Sequence, residues 1–337
     1  MATTHPQRDA IFGVTFALIA AIGFSAKAIL VKLAYQDHVD AITLLALRMV
    51  FAVPFFIGLA LWSRYRHAEP LTRHDWMLVL GLGLIGYYLS SLLDFLGLQY
   101  ISASLERLIL FLYPTMTVIL AAVAAAATRY WQSQPPAGAA ACCHTRTTRF
   151  RSLLCGSIKQ SIGPKIIAAM LLSYAGIVLV FLHDFSTKQQ GAIVLGSLLV
   201  FLSTLSYSSY LVGAGHAIAR IGATRFTAYA MIIASSACVL QFFVMRPMTA
   251  LALPLRVYEL SIAMAILSTV LPVFLLAYAI RRIGSGNASL IGSIGPVSTI
   301  VMAHLFLGEQ VSLLQIAGSA LVLAGVLIVS LNSKREP

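Results

Sequence analysis

Five residues able to carry charge stand inside apolar runs of this 337-residue chain: Lys27, Arg48, Asp94, Glu106 and Arg107. An ionisable group in hydrocarbon costs about 2.5–3.5 kcal/mol on insertion scales, so such a residue faces a partner or a cavity. Three kinds of chemistry fit: ion pairing between helices, capture of a charged solute group, and proton or ion coupling. Asp94 and Arg107 stand at matching depth on either side of a short loop, which predicts an ion pair across the hairpin. Lys27 has no neighbour in sequence to neutralise it, so it is a candidate contact for a substrate carboxylate or a coupling ion. Lys32, nearer a helix end, is expected to snorkel to the interface.

Two polar stripes recur at helical spacing. Tyr87, Ser90 or Ser91, and Asp94 share one face; Ser203, Tyr207 and Tyr210 share another. Lipid-facing surfaces should be apolar, so both faces are expected to point inward, towards a cavity or a neighbouring helix. The candidate substrate-binding set is therefore Lys27, Arg48, Tyr87, Ser91, Asp94, Glu106, Arg107 and Tyr207. Pro114 and Pro296 interrupt the backbone hydrogen-bond ladder of their helices. With Gly308 and Glu309 they form a structural set.

Other patterns imitate chemistry. Gly81-Leu82-Gly83-Leu84-Ile85-Gly86 fits a dinucleotide fingerprint, but that motif needs a preceding strand, and small residues within an apolar run serve close helix packing. Asn287-Ala288-Ser289 fits a glycosylation sequon at a position expected to be cytoplasmic. Cys142-Cys143-His144 and Cys155 lack paired metal-ligand spacing. No metal site, cofactor or catalytic residue is expected, and no nucleotide-binding loop is present to drive transport.

The elements that must hold these residues follow from composition. Apolar residues make up 59% of the chain and charged ones only 10%, against roughly 25% charged in soluble domains. Apolar runs fall at about 11–34, 42–63, 76–98, 103–125, 165–182, 191–213, 224–246, 260–280, 286–307 and 311–331, each near the ~20 residues that cross a bilayer. The expected fold is all-α and integral to the membrane, with ten transmembrane helices. The net charge of +12 is spread between the runs, so it is a topology signal and does not mark nucleic acid. Fifteen Lys/Arg residues fall on the side shared by the termini and two on the other, which predicts a multi-pass protein of the inner or plasma membrane with both termini cytoplasmic.

The chain also repeats itself. Phe111-Leu112-Tyr113-Pro114-Thr115 answers Ser293-Ile294-Gly295-Pro296-Val297 at an offset of 182, and Ala46-Leu47-Arg48 answers Ala223-Thr224-Arg225 at 177. Five spans is an odd number, so the second copy must lie inverted relative to the first, the plan of many secondary transporters. The expected units are 11–183 and 191–331. Asp94, Glu106 and Arg107 map to Leu276, Ala288 and Ser289, so the charge cluster belongs to one unit.

This arrangement, with the small-residue starts and central prolines of spans 4 and 9 and with His304-Leu305-Phe306-Leu307-Gly308-Glu309 leading into Gln315-Ile316-Ala317-Gly318, resembles the EamA-type permeases of the drug/metabolite transporter superfamily. The resemblance implies a ten-helix carrier without catalytic residues, often an exporter of amino acids or other small metabolites. Its partners would be a small-molecule substrate and the bilayer, with a coupling proton or ion and a homodimer left open. The rival reading is a non-transporting membrane protein, either a sensor or a paralogue with a damaged first repeat.

Residues 124–163 depart from the pattern. The interval from Pro114 to Gly176 is longer than the matching interval from Pro296 to Gly325 by 33 positions, so the first unit carries an insertion. This stretch is rich in Ala, Arg, Pro and Cys, and is expected to be a mobile cytoplasmic segment foreign to the fold.

Overall fold

A computed structural model of the chain describes residues 6–66, 71–133, 164–187 and 190–332. The described residues form thirteen α-helices, two π-helical turns and one 3-10 turn, with no strand among them. The α-helices are α1 Pro6–Tyr35, α2 Ala41–Arg66, α3 Arg73–Gly83, α4 Ser90–Leu98, α5 Ala103–Leu110, α6 Tyr113–Ser133 and α7 Pro164–Thr187. They continue as α8 Gln190–Ile221, α9 Ala223–Met245, α10 Leu255–Ala265, α11 Leu271–Gly292, α12 Gly295–Leu307 and α13 Leu313–Asn332. Seven helical stretches are long and apolar enough to cross a membrane, and three shorter apolar helices cover Ile167–Leu182, Gly295–Leu307 and Leu313–Ile328.

Local chemistry sets where these helices begin and bend. Thr72 and Asp75 form a reciprocal capping box at the start of α3, the Thr72 hydroxyl accepting from the Asp75 N–H while the Asp75 carboxylate accepts from the Thr72 N–H. α3 and α4 form one rod interrupted by a π turn at Leu84–Leu89, and α10 and α11 are joined by a second at Ile266–Val270. The starts of the two turns, Leu84 and Ile266, are related by the repeat offset of 182. α5 ends before Tyr113, where α6 begins with Pro114 as its second residue, and α12 begins at Gly295 with Pro296 in its first turn. Proline is tolerated there because the first N–H groups of a helix have no partner anyway. Tyr113 and Gly295, where these two helices start, are related by the same offset.

The packing is reciprocal. α2 lies on α9, α7 on α13, α1 on α11, and α4 on α8. Close approaches in the α7–α13 pair bring Gly176 to Gly318 and Gly325 to Ala169. At an offset of 149, which is 33 less than 182, Ala169 corresponds to Gly318 and Gly176 to Gly325, so each approach is the exchange image of the other.

At the expected insert, α6 continues through residues 124–133 to Ser133, so this part of it is helical. Residues 134–163, with Cys142, Cys143 and Cys155, lie outside the described residues.

Candidate functional site

α5 is short, and its placement controls the charge cluster. The Ser102 hydroxyl accepts from the Leu105 N–H at 3.2 Å, which fixes the first turn and sets Glu106 and Arg107 one turn in from the helix start. From the other half of the chain, Glu309 reaches the same turn. Its carboxylate accepts from the Ala103 N–H at 3.1 Å and from the Ser104 hydroxyl at 3.0 Å. Gly308 makes this reach possible by adopting a left-handed conformation (φ 66°), which closes α12 and turns the chain. The acid thus serves the start of α5, a helix of the other half of the chain.

The predicted pair between Asp94 and Arg107 does not form. Lys27 holds both acids, its Nζ donating to Asp94 Oδ2 at 2.5 Å and lying 3.0 Å from Glu106 Oε1. The second contact is one of charge without hydrogen-bond alignment, since neither Glu106 oxygen has a hydrogen-bond partner among the described residues. Asp94 and Glu106 are buried, at 3% and 0% exposure. Sequence reasoning missed this triad because α1, distant in the chain from α4 and α5, is brought to them by the tertiary fold.

Released from Asp94, Arg107 is left without a counter-charge. No ion pair joins it to a described carboxylate, and its Nε has no hydrogen-bond partner there. Arg48 is also buried; its Nε donates to Thr269 Oγ1 at 3.0 Å and its guanidinium lies over the Phe95 ring at 5.5 Å.

These side chains surround a cavity of about 440 Å³. Seven of the eight candidates line it: Lys27, Arg48, Tyr87, Ser91, Asp94, Arg107 and Tyr207. Glu106 does not; it stands behind Lys27. Counted at formal charge, Lys27, Asp94 and Glu106 sum to one negative charge and Arg48 and Arg107 add two positive ones, so the site is positive.

The polar stripes bond across helices and also line the cavity. Tyr87 and Tyr210 share a hydroxyl contact of 2.9 Å, the Ser203 hydroxyl donates to the Ser90 carbonyl at 2.7 Å, and Ser206 donates to the Ile85 carbonyl inside the first π turn. The last of these contacts serves a carbonyl in the π turn. Gly86, the last glycine of the false dinucleotide motif, lies where a Cβ would meet the Tyr210 ring, which makes it a packing residue.

Sequence reasoning did not place Phe111, Tyr113, Thr204, Thr227, Ser268 or Thr269 in the site, though they also line the cavity. The repeat held a signal for two of them, Ser268 and Thr269. Adding 182 to Gly86, Tyr87, Ser91, Asp94 and Leu110 gives Ser268, Thr269, Val273, Leu276 and Gly292, and all ten residues line the cavity. Arg225, the counterpart of Arg48, does not; it lies against the Tyr229 ring at 5.9 Å.

Comparison with known proteins adds a family. The sequence profile of the EamA-like transporter family matches residues 11–131 and 194–331, interrupted across the atypical segment. A relative from Bacillus subtilis described as an uncharacterized transporter, YcbK, is 31% identical over 317 residues, covering 92% of this chain and 90% of its own. The guanidinium exporter of Yersinia pseudotuberculosis is 40% identical over 62 residues, which is 18% of this chain and 60% of that protein. A solved structure overlays 96% of this chain and 98% of its own with a TM-score of 0.59 at 15% identity, a likeness of fold.

Proposed function

This chain belongs to the EamA-like transporter family, and from that premise we propose that it is a secondary exporter of small polar metabolites working by alternating access. The observation that carries the reading is the 440 Å³ cavity at mid-span, walled by charged and hydroxyl side chains in an otherwise apolar protein. Soluble enzymes also have such cavities, but placing five charged groups among membrane-length helices is costly unless the site handles a polar solute. The site residues of this proposal are Lys27, Arg48, Tyr87, Ser91, Asp94, Arg107 and Tyr207, with Glu106 holding Lys27 in place.

The architecture of the proposal is ten spans in two inverted five-helix units of the cell membrane, with both termini cytoplasmic. The matched π turns, the matched helix breaks and the exchange symmetry of the α7–α13 approaches support it. Inverted units with broken helices at corresponding places suit a carrier whose site lies between them. The cavity lining reaches Ala17, Ile280 and Ala288 on the terminus-bearing side, whereas beyond Lys27 and Asp94 the residues Val31, Ala34, Leu98 and Ala103 are fully buried. The conformation described is then the inward-facing one, from which an exporter loads its cargo.

A cationic cargo, of the kind named for the guanidinium exporters, fits this site poorly because Lys27 already occupies the acid pair. The test is counterflow in proteoliposomes loaded with pooled amino acids, organic acids, sugars or nucleosides. Accumulation of a labelled member of one pool supports the reading. Correctly inserted protein that moves none of them would assign the chain to the non-transporting class.

A further inference from the structure

We propose that Arg107 forms an anion subsite that takes the carboxylate of a small organic monoanion. The inference rests on the transporter reading for its biological meaning, but its chemistry stands on the cavity alone. Three cations and one carboxylate line the space, and Asp94, with Glu106 behind, is paired with one cation: Lys27 lies 2.5 Å from Asp94 and 3.0 Å from Glu106. Arg48 has its Nε engaged by Thr269 and its face on Phe95. Arg107 lines the cavity with no counter-charge in ion-pair reach among the described residues and with its buried Nε unpartnered.

A second observation points the same way. The Arg107 guanidinium lies against Gly295, where α12 begins; a Cβ there would stand 3.0 Å from one of its terminal nitrogens. A helix N-terminus carries partial positive charge and is stabilised by anions. A guanidinium packed against it is a like-charge contact, which an anion bound from the cavity side of the guanidinium would relieve. Both groups would bind one carboxylate, the guanidinium by its planar fork of donors.

The remaining walls describe the rest of the ligand. Phe24, Phe111, Val273 and Leu276 offer apolar and aromatic surface, while the Tyr113 and Tyr207 rings meet edge to face at 5.7 Å beside Arg107's helix. A compact apolar or aromatic body bearing one carboxylate matches this lining.

The test uses purified full-length protein and three probes of one shape: phenylacetate, phenylacetamide and the phenethylammonium cation. The expected result is a rise in apparent Tm with phenylacetate that exceeds the response to either other probe, because a ligand of the native state raises its stability. Arg107→Gln should abolish that rise and should itself raise the Tm of the ligand-free protein, since it removes an uncompensated charge. Should Arg107→Gln fail to fold, Arg107→Lys keeps the charge but loses the fork, and its apparent affinity for phenylacetate should fall by about tenfold.

No response to phenylacetate, an equal response to phenethylammonium, or a phenylacetate response that survives Arg107→Gln overturns the subsite. Counterflow reads the other question separately. Anion-selective binding without flux overturns the transporter reading and leaves the subsite standing; flux without anion preference does the reverse.

Discussion

The two halves of the chain share backbone devices and differ in the side chains hung on them. A π turn interrupts the rod of α3 and α4 in the first half and that of α10 and α11 in the second, and each half has a helix broken just before a proline. At equivalent cavity positions the first half presents Tyr87 and Asp94 where the second presents Thr269 and Leu276. The charges at the site, Lys27, Arg48, Asp94, Glu106 and Arg107, all belong to the first half, and the second answers only with Arg225, outside the cavity lining. Geometry that repeats while chemistry does not leaves the cavity charged on one side only, since the second half lines it with hydroxyls such as Ser203, Thr204, Ser268 and Thr269 and with apolar residues such as Val273 and Leu276. On the proposed function, that asymmetry would orient a small solute with its charged end towards the first half.

The largest expected effect comes from breaking the asymmetry at its centre. Lys27→Met leaves Asp94 and Glu106 buried without a counter-charge, and loss of one partner of a buried pair costs about 3–5 kcal/mol. Thermal denaturation and the yield of folded protein should both fall. Adding Asp94→Leu and Glu106→Ala, the residues that stand at the equivalent second-half positions, should restore most of the stability, because an apolar replacement of a whole ion cluster is often neutral. The triple variant should keep its fold and leave Arg48 and Arg107 as the remaining charges of the site. If Lys27→Met alone is as stable as the parent protein, the triad does not hold these helices together.

The membrane character, the helix breaks at Pro114 and Pro296 and seven of the cavity's lining residues were legible in the sequence because they follow from local rules: apolar run length, charges and helically spaced polar residues within those runs, and proline's missing N–H. The partners were not. Asp94 and Arg107 are close in sequence and equal in depth, yet Asp94 bonds Lys27, which reaches it only through packing of α1 against α4. Arg107, expected both as the partner of Asp94 and as a substrate contact, consequently keeps only the second role and has no ion-pair partner among the described residues. The partner of Glu309 was not legible for the same reason: it is the start of α5, in the other half of the chain.

Glu309 sharpens the comparison between the halves at the next level of energy. The Leu307-Gly308-Glu309 turn of the second half caps a helix of the first, but at the repeat offset of 182 Glu309 corresponds to Ala127, which has no acceptor to return the favour. Glu309→Gln removes the charge from two hydrogen bonds and should cost about 1 kcal/mol, near the middle of the range for a lost helix cap. Glu309→Ala should cost more, up to about 2 kcal/mol. Equal stability of all three proteins in a denaturation series would show that the cross-half cap adds nothing.

A smaller effect lies at the loop between α1 and α2. Burial tends to raise the Asp40 pKa, but hydrogen bonds from Thr43 and Arg246 outweigh it and hold the carboxyl below its ordinary value. Asp40 Oδ1 accepts from the Thr43 hydroxyl at 2.6 Å, and Oδ2 from Arg246 Nε at 3.0 Å, tying the first half to the end of α9. A lowered acid contributes stability that is fully present above its unfolded pKa of about 3.9 and is lost as pH falls through the lower folded value. Asp40→Asn should flatten this acid limb, with a neutral-pH cost of about 0.2–1 kcal/mol typical of a partly exposed pair. An unchanged pH profile in the variant would assign the acid limb to other groups.

The smallest expected effect would test whether the halves can be made alike. Ile167-Ala168 and Ala175-Gly176 of α7 repeat Ile316-Ala317 and Ala324-Gly325 of α13 at an offset of 149, so α7 resumes the second half's register once the insertion has been passed. On that register, Lys159 and Gln160 stand where the second half has Gly308 and Glu309. Excising residues 126–158 and substituting Lys159→Gly and Gln160→Glu would recreate the compact turn and give the first half an acid to place at the helix start near position 285. A short turn also removes loop-closure cost, which changes by only about 0.6 kcal/mol for each doubling of length, so little stability is at stake in the loop itself. The excised protein should insert normally, melt at or slightly above the parent temperature and keep its counterflow activity. Normal insertion with lost activity would show that the segment takes part in function and that the difference between the halves extends beyond the cavity.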